Sequence, residues 1–380
     1  MKNQDDPLRM LSKPSTIQRR EFLQSAVGAA VAVTGMPRAS AARGIASQTP
    51  IRVGLIGRDG HYDTLLHSIP KLSNVEWTAY AKARPSEDSA WVRQHPSARG
   101  ETRVYDDYRE MLEKESLHVV GVCLPFYQNA EASIAAARKG IHVVSEKPAA
   151  TDLSDLERLE KAVNQSGIRY CIMLDMRTLP VFQAARRAVQ GGAVGEPILI
   201  SSQKSYKFGA ERPWYYRERR TYGGTIPWVG IHALDFMQWV SGQRYTAVAA
   251  YEGNKAHAQS PGCEDHVGLL LRLANGGTAT CHLDFLRPEA APTHGDDRLR
   301  VAGSQGVLEV GGIEGRVRVI GPRGDSGDLI LPPAIDFFGA FVSELRGESE
   351  ALVSSVEAFD ITRTCLKARD AADTRAWVDL

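Results

Sequence analysis

No Cys-x-x-Cys pair occurs in this 380-residue chain, whose five cysteines, Cys123, Cys171, Cys263, Cys281 and Cys365, lie far apart. That spacing excludes the usual zinc knuckles and a dense disulfide framework, and the odd count leaves at least one thiol unpaired. Cys123 and Cys171 fall inside apolar strand-like runs, where a thiol serves as a small core hydrophobe. Charge of one sign is also lacking. Lys+Arg 46 against Asp+Glu 45 gives a formal charge of +1, so no electrostatic footprint for nucleic acid or an anionic membrane is present. Aromatics make up only 7%, and Gly 34 with Pro 19 shows no collagen-like or low-complexity bias. There are no internal repeats. What is present, 43% hydrophobic and 24% charged residues, is ordinary soluble-globular usage. At ~150 residues per domain, the length suggests two domains.

The first forty residues read as an address. Arg19 and Arg20 stand before Phe22-Leu23, a weakly apolar stretch runs over 25–36, and Ala39-Ser40-Ala41 supplies the small residues of a cleavage site. Spanning a bilayer as a helix takes ~20 apolar residues, so the expectation is a cleaved signal over 1–42, not a membrane anchor. The twin-arginine export machinery is the expected partner and an extracytoplasmic or periplasmic compartment the destination. Removing that segment leaves a chain of about −2. This route carries folded proteins, so a cofactor can be loaded before export.

After a short linker (43–50), apolar runs at 51–56, 75–80, 119–124, 141–145 and 169–174 alternate with helically periodic stretches at 108–114, 130–139 and 153–164. Continuous strands alternating with helices imply a doubly wound parallel sheet covered on both faces, ending near residue 174. Past a helix around 181–190 the pattern changes to longer strands at 197–207, 245–252, 267–273, 278–285 and 316–320. Asn275-Gly276-Gly277 between two of them is a hairpin signal, and a mainly antiparallel sheet follows. Helical periodicity returns at 335–345 and 356–372, so residues 175–380 are expected to form an α+β substrate and oligomerisation domain.

A dinucleotide-binding turn needs glycines for a sharp turn and for backbone amides to approach a pyrophosphate. If Gly57 is the first glycine, the second and third positions hold Asp59 and Tyr62. A carboxylate ~5 Å from a phosphate would cost about 3 kcal/mol at an effective dielectric of 20; Arg58, Gly60 and His61 are the residues that could offset it. The end of the second strand carries Lys82 and Arg84 and no acid. An acid there binds a ribose hydroxyl and repels a 2′-phosphate, so NADP is favoured, with NAD as second choice.

Ser145-Glu146-Lys147-Pro148 after the strand Ile141-His-Val-Val, followed by Gly223-Gly224 and Gly230-Ile-His232-Ala-Leu-Asp235, strongly resembles the Gfo/Idh/MocA (glucose-fructose oxidoreductase and inositol dehydrogenase) family. Val104-Tyr-Asp-Asp-Tyr, Leu124-Pro125 and Gly191-Gly-Ala-Val-Gly195-Glu occur in the matching order, and the similarity covers nearly all of residues 50 to 380. The resemblance implies a Rossmann domain with tightly bound nicotinamide cofactor, contacted by Pro125, Glu146 and Lys147, and an open sheet holding a sugar, polyol or cyclitol. It also implies a homo-oligomer. This chain has Pro125-Phe126-Tyr127 where the family usually has Pro-Asn, and Trp228 where the inositol dehydrogenase type has an aspartate four residues before the catalytic histidine.

The two residues that remain suit the chemistry. Oxidising a secondary alcohol sends hydride to the nicotinamide and the hydroxyl proton to a base, a task matched by histidine, here His232. A desolvated lysine, Lys147, can hydrogen-bond or protonate the substrate oxygen. Trp228 is either an apolar face for a pyranose ring or a core residue; Arg217 is either a pocket cation or part of a solvated loop; Arg177 is assigned to the substrate side. His257, His266, His282 and His294 have no metal-ligand spacing, and no metal is expected. A dehydrogenase is the first reading. A glycosidase or lyase using transient oxidation, and a non-catalytic sugar or nucleotide binder, are the alternatives.

Overall fold

The computed structural model describes residues 45, 48–98, 102–210, 212–313 and 315–380. The expected signal segment and part of the linker lie outside the described residues. Strands β1 (Ile51–Ile56), β2 (Val75–Ala81), β3 (Arg103–Tyr105), β4 (Val119–Val122), β5 (His142–Ser145) and β6 (Tyr170–Ile172) form one sheet in the order β3-β2-β1-β4-β5-β6, with every pairing parallel. β4 is buried at every position, as a strand covered on both faces must be, which is why it carries no polar side chain. Between β1 and β4 the connections depart in opposite directions and open a crevice at the carboxyl ends of the strands. The helix Leu153–Ser166 shows how local signals frame this sheet. Asp152 accepts from the Asp155 amide at its start, Gly167 at φ 68° ends it, and Leu156, Leu159 and Val163 form its buried stripe.

The second sheet holds β7 (Pro197–Lys207), β8 (Tyr245–Gly253), β9 (His266–Leu273), β10 (Thr278–Arg287), β11 (Gly295–Gly303), β12 (Val307–Gly311), β13 (Arg316–Gly321), β14 (Gly324–Asp328) and β15 (Val378–Asp379). Their order is β14-β13-β12-β11-β7-β10-β9-β8-β15. All pairings are antiparallel except β7 with β10, which run parallel at the centre. The Asn275-Gly276-Gly277 turn joins β9 to β10, with Gly276 at φ 85°. Inward positions of β7 are Ile200, Ser202 and Lys204; β7 packs against the helix Ile231–Ser241, and the helix Pro180–Gln190 covers β12 and β13. One hydrophobic core runs through both sheets. A separate aromatic cluster, including Phe126, Phe208, Tyr216, Trp228 and Phe285, links the loop after β4 to the ends of β7 and β10, and it forms one wall of the crevice. All five cysteines are buried and unpaired. Among the described residues no helix is long and apolar enough to cross a membrane.

Candidate active site

The turn after β1 is glycine-dependent at two points. Gly57 has φ 72° and its missing Cβ would run into the Cys123 carbonyl, the same oxygen that accepts the Asp59 amide at 2.8 Å. Gly60 has φ 73°, and a Cβ there would strike the Glu146 carboxylate. These glycines therefore let the turn close onto the ends of β4 and β5. Glu146 is fully buried and saturated. It accepts from the His61 amide at 2.5 Å, from His61 Nδ1 at 2.9 and 3.1 Å, and from the Lys147 amide at 3.0 Å. Burial works against its charge, but His61 and Lys147 hold the carboxyl below its usual range, while Glu146 in turn raises His61. Asp59 turns to the Tyr215 hydroxyl at 3.3 Å, and burial raises its pKa. Burial therefore works against the charge that its place in the glycine turn would set against a phosphate.

Other basic residues assigned to the cofactor are engaged elsewhere. Arg58 does not face the turn's amides; it pairs with Glu87 at 3.0 Å and lies over Trp91. Lys82 Nζ is 2.8 Å from Asp106, and Arg84 is exposed. Glu87 returns to accept the Ala83 amide at 2.9 Å, so a carboxylate does reach the end of β2, from three residues beyond Arg84. Pro125 opens the turn Phe126–Gln128. A cleft of about 480 Å³ between these two loops is lined by Lys82, Ala83, Pro85, Leu124 and Tyr127, the size expected for a small-molecule site.

Lys147 follows β5 through a cis bond to Pro148. Its buried Nζ donates to the Trp228 carbonyl at 2.9 Å, lies 4.0 Å from Glu146 Oε1, and sits 3.0 Å from the Trp228 ring centre. Burial lowers its pKa to about 7. Trp228 belongs to a turn of π-helix, Ile226–Gly230, which leads into the helix Ile231–Ser241 carrying His232. Phe126 stacks on the indole at 3.9 Å and 24°. With Phe126 on one face and Lys147 on the other, Trp228 has no free face for a pyranose; its role as a sugar platform is replaced by that of a wall behind Lys147. His232 is buried, and desolvation together with Lys147, Lys204 and His61 pushes its pKa well below the usual value. Its Nδ1 faces Asp175 Oδ1 at 3.5 Å.

Arg177 is a structural residue. Its guanidinium forms a fork with Asp235, at 3.0 and 2.7 Å, and reaches Glu357 at 2.7 Å and the Leu352 carbonyl at 2.8 Å. Arg217 is exposed at the end of the turn Trp214–Arg217. Two residues that the pattern reading missed belong to the site: Asp175, and Lys204, whose buried Nζ meets Asp297 at 3.0 Å. Both carried a signal. Asp175 is the first charge after the apolar run ending β6, and Lys204 is a lysine on the inward parity of β7. One trio of ligand-type side chains stands apart: Asp63 Oδ1 lies 3.9 Å from His67 Nε2 and 4.0 Å from His95 Nε2. The Ser97 amide donates to His95 Nδ1 at 3.2 Å, which keeps the ring proton on Nε2, the nitrogen a metal would need.

Residues 51–173 match the oxidoreductase family with NAD-binding Rossmann fold, and residues 182–309 match the GFO/IDH/MocA C-terminal domain. The chain is similar to D-apiose dehydrogenase of Paraburkholderia graminis, 26% identical over 248 residues, spanning 64% of this chain and 63% of that protein. It is also similar to myo-inositol 2-dehydrogenase of Thermotoga maritima, 25% identical over 286 residues, 74% of this chain and 81% of that protein. A solved structure from Thermotoga maritima assigned to the oxidoreductases shares 33% identity and a TM-score of 0.81, covering 87% of this chain and 100% of its own. Levoglucosan dehydrogenase in complex with NADH and levoglucosan shares the fold, at TM-score 0.74 and 18% identity over 87% of this chain and 99% of that one. With both halves matched and a solved relative aligned along its whole length, the chain belongs to the GFO/IDH/MocA oxidoreductase family.

Proposed function

We propose that this protein is an exported, NADP-preferring dehydrogenase acting on a secondary alcohol of a sugar or polyol. The observation that carries the reading is the buried pair Lys147 and His232 at the mouth of the crevice, each with its pKa driven down by desolvation. The residues present fit a dinucleotide: Gly57 and Gly60 allow close backbone approach, Glu146 holds the His61 ring in the turn and favours its protonated form, and the cleft beside Lys82 can take the adenosine end. When bound, the nicotinamide supplies the hydride acceptor or donor. The chain's own residues handle the proton and the charge. His232, kept neutral, accepts the hydroxyl proton. Lys147, whose lowered pKa of about 7 lets it hold or release a proton near physiological pH, donates a hydrogen bond to the substrate oxygen and stabilises the developing alkoxide. The Phe126–Trp228 stack and the buried aromatic cluster keep water from this wall. The names of the curated relatives support a polyhydroxylated substrate.

The test is direct. Denaturing the purified protein and weighing the released nucleotide identifies the cofactor, and a panel of sugars and polyols followed by nicotinamide absorbance identifies the reaction. NADP release and net reduction with at least one polyol are expected. Absence of both nucleotide binding and turnover would overturn the reading.

A further inference from the structure

His232 Nδ1 and Asp175 Oδ1 are both buried, neither has a hydrogen-bond partner among the described residues, and they face each other at 3.5 Å. Buried polar atoms are rarely left orphaned, so two orphans aimed at one another need an explanation. They come from separate elements. Asp175 opens the turn Asp175–Thr178 beyond β6, at the carboxyl edge of the parallel sheet, and His232 stands in the first turn of the helix Ile231–Ser241. We propose that Asp175 is the positioning residue of His232, holding the proton on Nδ1 so that Nε2 presents its lone pair to the substrate hydroxyl. This rests on the reading of His232 as proton acceptor.

The surroundings leave no substitute. The charged groups acting on His232 from the other elements are Lys147 after β5, Lys204 on β7 and His61 in the glycine turn, and all three oppose its protonation. Glu146 is saturated by His61 and the Lys147 amide. Asp297 is engaged by Lys204. On the histidine's own element the residue one turn earlier is Trp228, enclosed between Phe126 and Lys147. Asp175 is therefore the carboxylate placed to stabilise an imidazolium. Its side chain is 37% exposed while His232's is 4% exposed, so one oxygen can stay hydrated while the other faces the ring. Catalytic hydrogen bonds are often long before substrate arrives and tighten in the complex. In the step itself the substrate O–H bond breaks and an N–H bond forms at Nε2. The carbinol hydride would leave to an oxidised nicotinamide, which supplies that chemistry when bound, and Asp175 gains no proton.

The experiment compares wild type with Asp175→Asn, Asp175→Ala and Asp175→Glu, using steady-state kinetics and ¹⁵N spectra of histidine-labelled protein, with His232 assigned by its loss in His232→Asn. In wild type the Nδ1–H tautomer is expected, lost in the Asn and Ala variants and retained in Glu. Asp175→Asn should lower kcat ~100- to 10,000-fold with KM changed under ~3-fold. Asp175→Glu should recover at least ~10-fold over Asn, which a mere folding defect would not produce. A tautomer identical in wild type, Asn and Ala variants overturns the proposal, and so does a kcat in Asp175→Asn within ~3-fold of wild type. If no sugar or polyol is turned over, the dehydrogenase reading fails on its own, and the tautomer spectra still decide the role of Asp175.

Discussion

Lys147 holds its Nζ 3.0 Å from the centre of the Trp228 ring and donates to the carbonyl of that same residue at 2.9 Å. Burial on this scale favours the neutral amine, lowering the pKa from 10.5 to about 7. The folded state then resists a proton that the unfolded chain accepts. Stability attributable to this site falls as pH drops from 10.5 to about 7 and is constant below, where both states are protonated. Lys147→Met has no proton to resist. It should be inactive yet more stable by about 2 to 4 kcal/mol at pH 7 and below, the gain shrinking towards pH 10.5. Denaturant midpoints at several pH values measure this, and a gain independent of pH would contradict it.

Arg177 separates stability from catalysis in the opposite way. Its fork to Asp235 is buried on both sides, and removing one partner of such a pair costs about 3 to 5 kcal/mol because the other charge stays uncompensated. Arg177→Met should lose that stability while the folded fraction keeps its substrate KM. A raised KM at unchanged stability would return Arg177 to the substrate.

Trp228→Asp should not improve His232. The indole fills the space between Phe126 and Lys147, and truncating a buried tryptophan costs about 3 to 5 kcal/mol. His232 Nδ1 already faces Asp175. The variant should be less stable than wild type with no gain in kcat; a faster enzyme would show that the carboxylate belongs at position 228.

Export is proposed from Arg19, Arg20 and the Ala39-Ser40-Ala41 site. Changing both arginines to lysine should leave the uncleaved precursor in the cytoplasm, as read by fractionation and mass. Unaltered export of that double variant would exclude the twin-arginine machinery as the reader.

The parallel sheet was legible because strands buried on both faces must be continuous apolar runs, as in Val119–Val122, and the β9–β10 hairpin because Gly276 at φ 85° needs a residue tolerant of that conformation. Short or charged strands were not. β11 carries two aspartates and two arginines in nine residues, β14 is Gly-Asp-Ser-Gly-Asp, and β3 has three residues; tertiary pairing decides each of them. In the site, Lys147 and His232 stood out through their neighbouring sequence. Arg177, assigned to the substrate side, turns its guanidinium into the core towards Asp235, and of the two readings open for Trp228 the buried one holds, because its indole is closed on both faces; composition does not reveal direction. Asp175 was missed because its partner lies on a distant helix, a relationship carried by the fold alone.

Cofactor preference depends on the end of β2. Lys82 is tied to Asp106 at 2.8 Å, but Asp106 is 70% exposed, and such a surface pair is worth about 0 to 1 kcal/mol. A 2′-phosphate can draw the ammonium away at little cost, joined by the exposed Arg84. One charge-assisted contact contributes about 1.5 to 3 kcal/mol, roughly ten- to a hundredfold in affinity. Lys82→Asp should therefore invert a preference for NADP over NAD, with Glu87 already fixed at the Ala83 amide as a second repelling carboxylate. Asp106→Asn should act in the other direction, freeing Lys82 and tightening NADP without changing NAD. Fluorescence titration of both nucleotides against the three proteins measures the ratios. Tighter NAD than NADP in the unmodified protein would show that Glu87, not Lys82, governs the ribose.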